Sequence, residues 1–282
     1  MELWFTEVHN QNSKSSMRVK EHLLSIESPF QKIDVLETYE YGRVLVIDGF
    51  TMLTEKDEYI YHEMIVHVPM AVNPEAKRIL VIGGGDGGTL RELIKYPAIE
   101  KIDFVEIDEM VVDISRDFLP FVHCGFDDHR IEFYYEDGVE FVKNKENIYD
   151  LIIVDSTDPI GPGEGLFTEE FYKDAFKSLK EDGILVNQCE SVYFKEDRSE
   201  FKRAIGKLKR IFPKAYAYQA HIPTYPSGHW LFGFASKKYH PIEDQRVFKW
   251  QDFNIDTKYY NENLHKGAFY LPTYIQQIIE KA

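Results

Sequence analysis

The stretch Arg78-Ile79-Leu80-Val81-Ile82-Gly83-Gly84-Gly85-Asp86-Gly87-Gly88-Thr89-Leu90-Arg91 decides the fold. The apolar run Arg78–Ile82 reads as a buried strand, a glycine loop follows, and a helical pattern opens at Thr89. The loop satisfies G-x-G-x-x-G at Gly83, Gly85 and Gly88, a spacing that lets backbone approach a nucleotide between a strand and a helix. The next strand, Lys101–Ile107, brings Glu106 about 20 residues further on. A carboxylate there can accept hydrogen bonds from both hydroxyls of a ribose. The expected ligand contains adenosine.

The alternation continues on the C-terminal side. Helices are expected at Thr89–Lys95, Glu109–Asp117 and about 139–145 and 168–180, between strands Ile131–Tyr135, Leu151–Val154 and Gly183–Asn187. This pattern implies an α/β, Rossmann-like, mostly parallel sheet with helices on both faces. Ala215–Ile222 and His229–Ser236 flank the short loop Pro223–Gly228 and predict a terminal antiparallel hairpin. A last helix is expected at about 272–281. On the N-terminal side, residues 1 to about 60 read as β-structure. Strands such as His22–Glu27, Lys32–Thr38 and Val44–Ile47 are punctuated by Ser28-Pro29, Tyr41-Gly42 and Asp48-Gly49. A helix over Glu58–Val68 follows, closed by Asn73-Pro74. We therefore expect a small N-terminal β-domain, 1–60, and a catalytic domain, 61–282.

The 282 residues carry 33 Lys+Arg and 48 Asp+Glu, a net charge of −15. That excess disfavours binding to a nucleic acid, whose phosphates need cations to displace their counterions. The 44% hydrophobic residues supply a real core. Cys124 and Cys189 cannot build a disulfide framework and have no zinc-ligand spacing. Met1–Glu7 lacks a signal-peptide pattern, and no apolar run approaches the ~20 residues of a membrane span. A soluble cytoplasmic protein is expected, with no membrane partner.

Asp86 separates the possible ligands. A dinucleotide pyrophosphate would meet a like charge inside its own cradle, which counts against a nicotinamide dehydrogenase. A sulfonium nucleoside with a cationic tail would find the carboxylate attractive. Decarboxylated S-adenosylmethionine, which has only the amine, suits it better than the intact form used by methyltransferases. Capping of the following helix is the structural alternative for Asp86. Asp137-Gly138, after the strand Ile131–Tyr135, can read the exocyclic amine of adenine or simply cap a helix. Strand Leu151–Val154 delivers Asp155-Ser156-Thr157-Asp158-Pro159 to the carboxyl edge of the sheet, where ligands of such sheets bind. The loop Ile160–Gly165 has the hinges and stiffeners of a lid. Tyr61-His62-Glu63, Gln188-Cys189-Glu190 and Tyr225 complete an acidic, aromatic pocket suited to an amine. His229-Trp230 either shortens that pocket or packs in the hairpin.

Taken together, these residues resemble the polyamine aminopropyltransferases, and within that family the branch of spermidine synthases. The resemblance covers essentially the whole chain. It rests on the glycine loop with Thr89-Leu90-Arg91-Glu92, on Val105-Glu106-Ile107-Asp108, on Asp155–Pro162 and on Ile222–Gly228. Asp57–Met64 and Tyr259-Tyr260-Asn261 with His265-Lys266 fit as well. It implies a methyltransferase-like sheet, and homodimers or homotetramers assembled through the β-domain. It implies that Asp155 is the catalytic carboxylate, with Tyr61, His62, Asp86, Ser156, Thr157, Asp158 and Tyr225 around the amine or aminopropyl group. Gln31, Gly83, Gly85, Glu106, Asp137, Gly138 and Pro162 fall around the nucleoside. The implied reaction moves the aminopropyl group of decarboxylated S-adenosylmethionine to putrescine, giving spermidine and methylthioadenosine, with no metal or cofactor. A methyltransferase acting on a small amine and a non-catalytic polyamine-binding protein are the rival readings. The sequence does not fix which amine is preferred.

Overall fold

Residues 2–157 and 161–282 are described by the computed structural model, without the side chains of Pro162 and Glu196. Five antiparallel strands come first, paired in chain order: β1 (Leu3–Asn10), β2 (Ser13–Glu27), β3 (Lys32–Thr38), β4 (Arg43–Ile47) and β5 (Phe50–Thr54). The β4–β5 hairpin shows why the chain turns there. Ile47 pairs with Phe50, so Asp48 and Gly49 form a two-residue loop, with φ of 51° and 85°. Left-handed backbone at both positions matches the twist of the flanking strands, and Asp-Gly tolerates it. β1 and β5 lean together, because Glu7 Oε2 accepts the Thr51 N–H at 3.0 Å.

Helix α1 (Glu58–Val72) is buried along almost its whole length and leads into the second sheet. Its seven strands are β6 (Arg78–Gly83), β7 (Lys101–Val105), β8 (Ile131–Tyr134), β9 (Tyr149–Asp155), β10 (Leu179–Gln188), β11 (Lys214–Ala220) and β12 (Trp230–Ser236). They lie in the order β11-β12-β10-β9-β6-β7-β8. The run β10 to β8 is parallel, and β12 is antiparallel to both its neighbours. Strands covered on both faces read as unbroken apolar runs. Along β6 and β9, Ile79, Val81, Leu151 and Ile153 enter one core, while Leu80, Ile82, Ile152 and Val154 enter the other. The first core contains α1. The helices that complete the fold are α2 (Gly88–Leu93), α3 (Glu109–Phe118), α4 (Gly138–Val142), α5 (Glu169–Ser178), α6 (Lys195–Ile211), α7 (Val247–Gln251), α8 (Glu262–Ala268) and α9 (Thr273–Glu280).

This is the expected α/β architecture with its N-terminal β-structure and terminal antiparallel hairpin. Helices α7 and α8 were not expected, the helix expected at 168–180 gives way to β10 at Leu179, and three further details differ from the sequence reading. Helix α1 continues through Pro69 to Val72 rather than stopping at Val68. Packing of an all-apolar last turn outweighs the hydrogen bond a proline removes. The long helix α6 was not expected, although Phe201, Ala204, Ile205 and Leu208 recur at helical spacing and are all buried. Strand β2 begins at Ser13, well before His22.

Two features place the site. The chain leaves β6 toward β7 and β8 on one side and returns through β9 to β10 on the other. The carboxyl ends of β6 and β9 therefore flank a topological switch point, where such sheets open a crevice. The N-terminal sheet then covers it. Ile33, Val35, Leu45, Ile47 and Leu53 pack on Val111 and Ile114 of α3, and Arg43 Nη1 donates to Phe118 O at 2.5 Å.

Candidate active site

The glycine loop and the carboxyl end of β9 meet in register: Gly83 pairs with Asp155. At Gly84 (φ 75°), a Cβ would lie 2.7 Å from Asp155 Oδ2, so only glycine leaves the carboxylate its place. Asp155 is 8% exposed. Tyr61 Oη donates to its Oδ1 at 2.7 Å, and Thr89 Oγ1 donates to its Oδ2 at 2.6 Å. Burial raises the Asp155 carboxyl above its ordinary value, and the Asp86 charge adds to this; His62 and the two hydroxyls oppose it. Burial and the neighbouring carboxylate push the Tyr61 phenol well up, so it remains a donor.

A second pair stands beside it. Asp86 Oδ1 lies 3.1 Å from His62 Nε2 and also accepts the Gly88 N–H at 2.7 Å. Asp86 thus holds the first N–H of α2, whose N-cap is Gly87, and lines the cleft at once. Burial alone would raise Asp86, but His62 outweighs it and holds the carboxyl below its usual value. Burial likewise opposes charge on His62, yet Asp86 and Glu58 together push its imidazole up to about 10. Ligand atoms of His62, Asp86 and Asp155 all come within 4.8 Å of one another. Both nitrogens of His62 already face carboxylates, Nδ1 being 2.6 Å from Glu58 Oε2.

Toward the nucleoside end, burial pushes Glu106 up to about 7 against the pull of backbone N–H groups. One of these, from Asp108, donates to its Oε1 at 3.0 Å. Gln31 Nε2 donates to Asp108 Oδ2 at 2.9 Å, tying β2's far turn to the start of α3. Asp137 is exposed and accepts the Val139 N–H at 2.8 Å as the N-cap of α4. At the other end, Tyr225 Oη donates to Met52 O at 2.5 Å. Its ring lies 6.2 Å from that of Tyr61 and 4.8 Å, edge-on, from that of Trp230.

Most of these side chains line one cleft of about 1460 Å³, counting its part open to solvent, with Thr89, Glu58 and Asp108 standing behind its wall. Gln31, Tyr61, His62, Gly83, Gly85, Asp86, Glu106, Asp137, Gly138, Asp155, Ser156, Thr157 and Tyr225 are brought together in it, as are Gln188 and Glu190. Cys189 instead points into the core. Asp158 and the side chain of Pro162 lie outside what is described, as does residue 160 of the expected lid; Gly161–Phe167 form a 3-10 helix. Sequence reasoning missed Thr89 as a partner of Asp155, though it noted the Thr89–Glu92 stretch. It also missed Glu7 and His9 of β1 and Phe194 and Asp197, which line the cleft. No spacing rule links β1 to a loop almost two hundred positions away. Three buried polar atoms of residues in the lining, Thr51 Oγ1, Ser156 Oγ and Trp230 Nε1, have no partner among the described residues.

The family described as "Spermine/spermidine synthase domain" matches residues 58–245, and the "Spermidine synthase tetramerisation domain" matches residues 3–55. The chain belongs to the polyamine aminopropyltransferases, the enzymes of the spermine/spermidine synthase family, and is an aminopropyltransferase. It is 59% identical over 280 residues to the polyamine aminopropyltransferase of Alkaliphilus metalliredigens, covering 99% of both chains. With that of Clostridioides difficile it shares 57% over 282 residues, the whole of both. Among solved structures, a spermidine synthase in complex with the transition state analogue AdoDATO superposes with a TM-score of 0.96 at 41% identity, covering 99% of this chain and 96% of that one. The Thermotoga maritima spermidine synthase gives 0.93 at 40% identity, covering 99% and 94%.

Proposed function

We propose that the enzyme transfers the aminopropyl group of decarboxylated S-adenosylmethionine to putrescine, releasing methylthioadenosine and forming spermidine. The observation that carries this reading is the juxtaposition of Asp155, clamped by Tyr61 and Thr89, with the Asp86–His62 pair at the switch-point crevice. Glu106 is positioned for the ribose, with Gln31, Asp137 and Gly138 around the rest of the nucleoside. Asp86 attracts the aminopropyl ammonium. Tyr225 and Tyr61 wall the diamine, with Trp230 behind.

In the reaction a neutral amine nitrogen forms a bond to the carbon attached to sulfur, the C–S bond breaks, and its electron pair leaves with the thioether. The amine proton must go elsewhere. An aliphatic amine titrates near ~10 and a free carboxyl near ~4, a gap that makes direct transfer uphill. Burial of Asp155 narrows that gap from the carboxyl side. Asp155 therefore both orients the amine and receives its proton. The reading needs no metal. His62, protonated and committed to two carboxylates, has no lone pair to offer an ion.

The reading assigns assembly contacts to the strands of residues 1–60, and the tetramerisation-domain match over residues 3–55 supports it. A cytoplasmic setting agrees with two free cysteines. Among the described residues no helix is long and apolar enough to cross a membrane. The test is a product assay by mass spectrometry, offering the sulfonium donor with and without its carboxylate to a panel of amines. Spermidine from the decarboxylated donor and putrescine is the expected product. A methylated amine from intact S-adenosylmethionine, or no product at all, would overturn the proposal.

A further inference from the structure

The ring of His62 is held on three sides. It lies against Gly88, where a Cβ would come within 2.2 Å of Cε1. Nδ1 faces Glu58 Oε2 at 2.6 Å and Nε2 faces Asp86 Oδ1 at 3.1 Å. A neutral imidazole carries one N–H and can serve one of these carboxylates; only the doubly protonated ring donates to both. Glu58 stands one helical turn before His62 on α1, and its own carboxylate cannot turn away. Arg91 of α2 grips both oxygens, Nη1 to Oε1 at 2.7 Å and Nη2 to Oε2 at 2.9 Å. Arg91 is fixed in turn by Phe121 O and Glu92 Oε1, each at 2.9 Å. Neither Glu58 nor Arg91 is among the residues that line the cleft.

We infer that Glu58, clamped by Arg91, is a positioning residue for the reaction: it holds His62 as a fixed cation whose Nε2–H occupies Asp86 Oδ1, leaving Oδ2 to the ammonium of the sulfonium substrate. This rests on the function proposed above. The charged groups facing His62 are Glu58 from its own helix and Asp86 from the glycine loop, with Arg91 behind the first and Asp155 beyond the second. Signs alternate along Asp86, His62, Glu58 and Arg91, so Asp86 keeps its charge with less repulsion on Asp155. The directions agree: Glu58 is held below its usual value, because His62 and Arg91 outweigh its burial. His62 is raised to about 10.

Glu58→Gln keeps the shape of the side chain and an acceptor for Nδ1 but removes the charge. Ring-labelled histidine in the ligand-free, assembled enzyme would be titrated by NMR, with His62 assigned from His62→Gln. In Glu58→Gln the His62 titration is expected to fall by about one to three pH units. The kcat/KM profile for the sulfonium substrate should gain an alkaline limb lowered by a similar amount. Arg91→Lys keeps the charge but loses the planar fork, and should move both readouts in the same direction by less. An unmoved His62 titration in Glu58→Gln overturns the inference. Should that variant fail to fold, an unmoved titration in Arg91→Lys does the same. A wild-type enzyme that makes no product from any sulfonium donor would sink the functional reading instead, and the NMR titration would still report on Glu58.

Discussion

Both carboxylate oxygens of Asp155 are hydrogen-bonded within the protein, one by Tyr61 and one by Thr89. The group proposed to meet the amine is thus oriented by the fold and not by the substrate. Replacing it by asparagine keeps the size but removes the charge and the proton acceptor. Asp155→Asn is expected to lower kcat by about 10²–10⁴-fold, while methylthioadenosine, which lacks the aminopropyl tail, binds nearly as before. Steady-state kinetics and calorimetry check this, and near-normal turnover would remove Asp155 from its role. Glu106 offers a test with a sign. Burial raises its carboxyl from the usual 4.5 to about 7, so the folded state holds a proton more tightly than the unfolded chain. Stability is therefore lost as pH rises from about 4.5 through 7. At pH 8, Glu106→Gln should raise the thermal midpoint of the ligand-free enzyme and abolish the extra stabilisation given by methylthioadenosine. A lowered midpoint without ligand would show that the backbone bonds to Glu106 outweigh its burial.

Helix α2 is short, yet two networks run through it. Its first turn supplies Thr89 to Asp155. Its far side carries Glu92, which meets His67 Nε2 at 2.8 Å, Arg91 Nε at 2.9 Å and Lys95 Nζ at 2.5 Å. Burial would raise the Glu92 carboxyl, but His67, Arg91 and Lys95 outweigh it and hold it far below the usual range. Its stabilisation is present above about pH 4.5 and is lost as pH falls through that depressed value. Glu92→Gln is expected to cost about 3–5 kcal/mol at neutral pH and much less in acid. Denaturant melts at two pH values measure the difference, and an equal loss at both would mean that packing, not charge, sets it. Such networks mark the boundary of what the residues alone reveal. The β6–loop–α2 unit was legible because glycines, an apolar run and an acid at fixed spacing have a local cause. Asp86, Asp155 and Glu106 were legible as cleft residues because their strands end at one edge. The partners of Asp155 and His62 were not. Tyr61 to Asp155 spans 94 positions and Arg91 to Glu58 spans 33, and only the packed sheet brings them within reach. Helix α6 was available in its buried stripe but was hidden by its many charges.

The cleft belongs to both sheets. The N-terminal sheet and its β2–β3 turn supply Gln31, Leu45, Ile47, Thr51 and Met52 to its wall, and the carboxyl edge of the parallel sheet supplies Asp86, Glu106 and Asp155. The described residues that line it include seven carboxylates and no lysine or arginine, so about half of the net charge of −15 sits in the cleft and the rest lies elsewhere. That excess still creates a field that favours approach of a dication, and salt screens it beyond about 8 Å at physiological strength. Raising the salt from 50 mM to 500 mM, values chosen for the assay, should therefore increase KM for the diamine several-fold and leave kcat nearly constant. A fall in kcat with unchanged KM would place the salt effect at the buried carboxylates instead.

Glu63 follows His62 in the chain but faces the opposite way, and it is 2% exposed. Its two oxygens accept the backbone N–H groups of Lys258, Tyr259 and Tyr260 at 2.7, 2.8 and 2.7 Å. The helix that presents Tyr61 and His62 to the cleft is thus fastened to a segment made nearly two hundred residues later, and this constrains the order of synthesis. On the ribosome, the strands of the N-terminal sheet can pair as they emerge, and β6 can find β7 soon after. The Glu63 carboxylate can exchange water for these three backbone donors only once residue 260 has left the exit tunnel, so the final seating of α1 is expected to follow. A chain clipped before Lys258 would lose all three of these donors, so α1, and with it Tyr61 and His62, would be the part of the site left without its fastening.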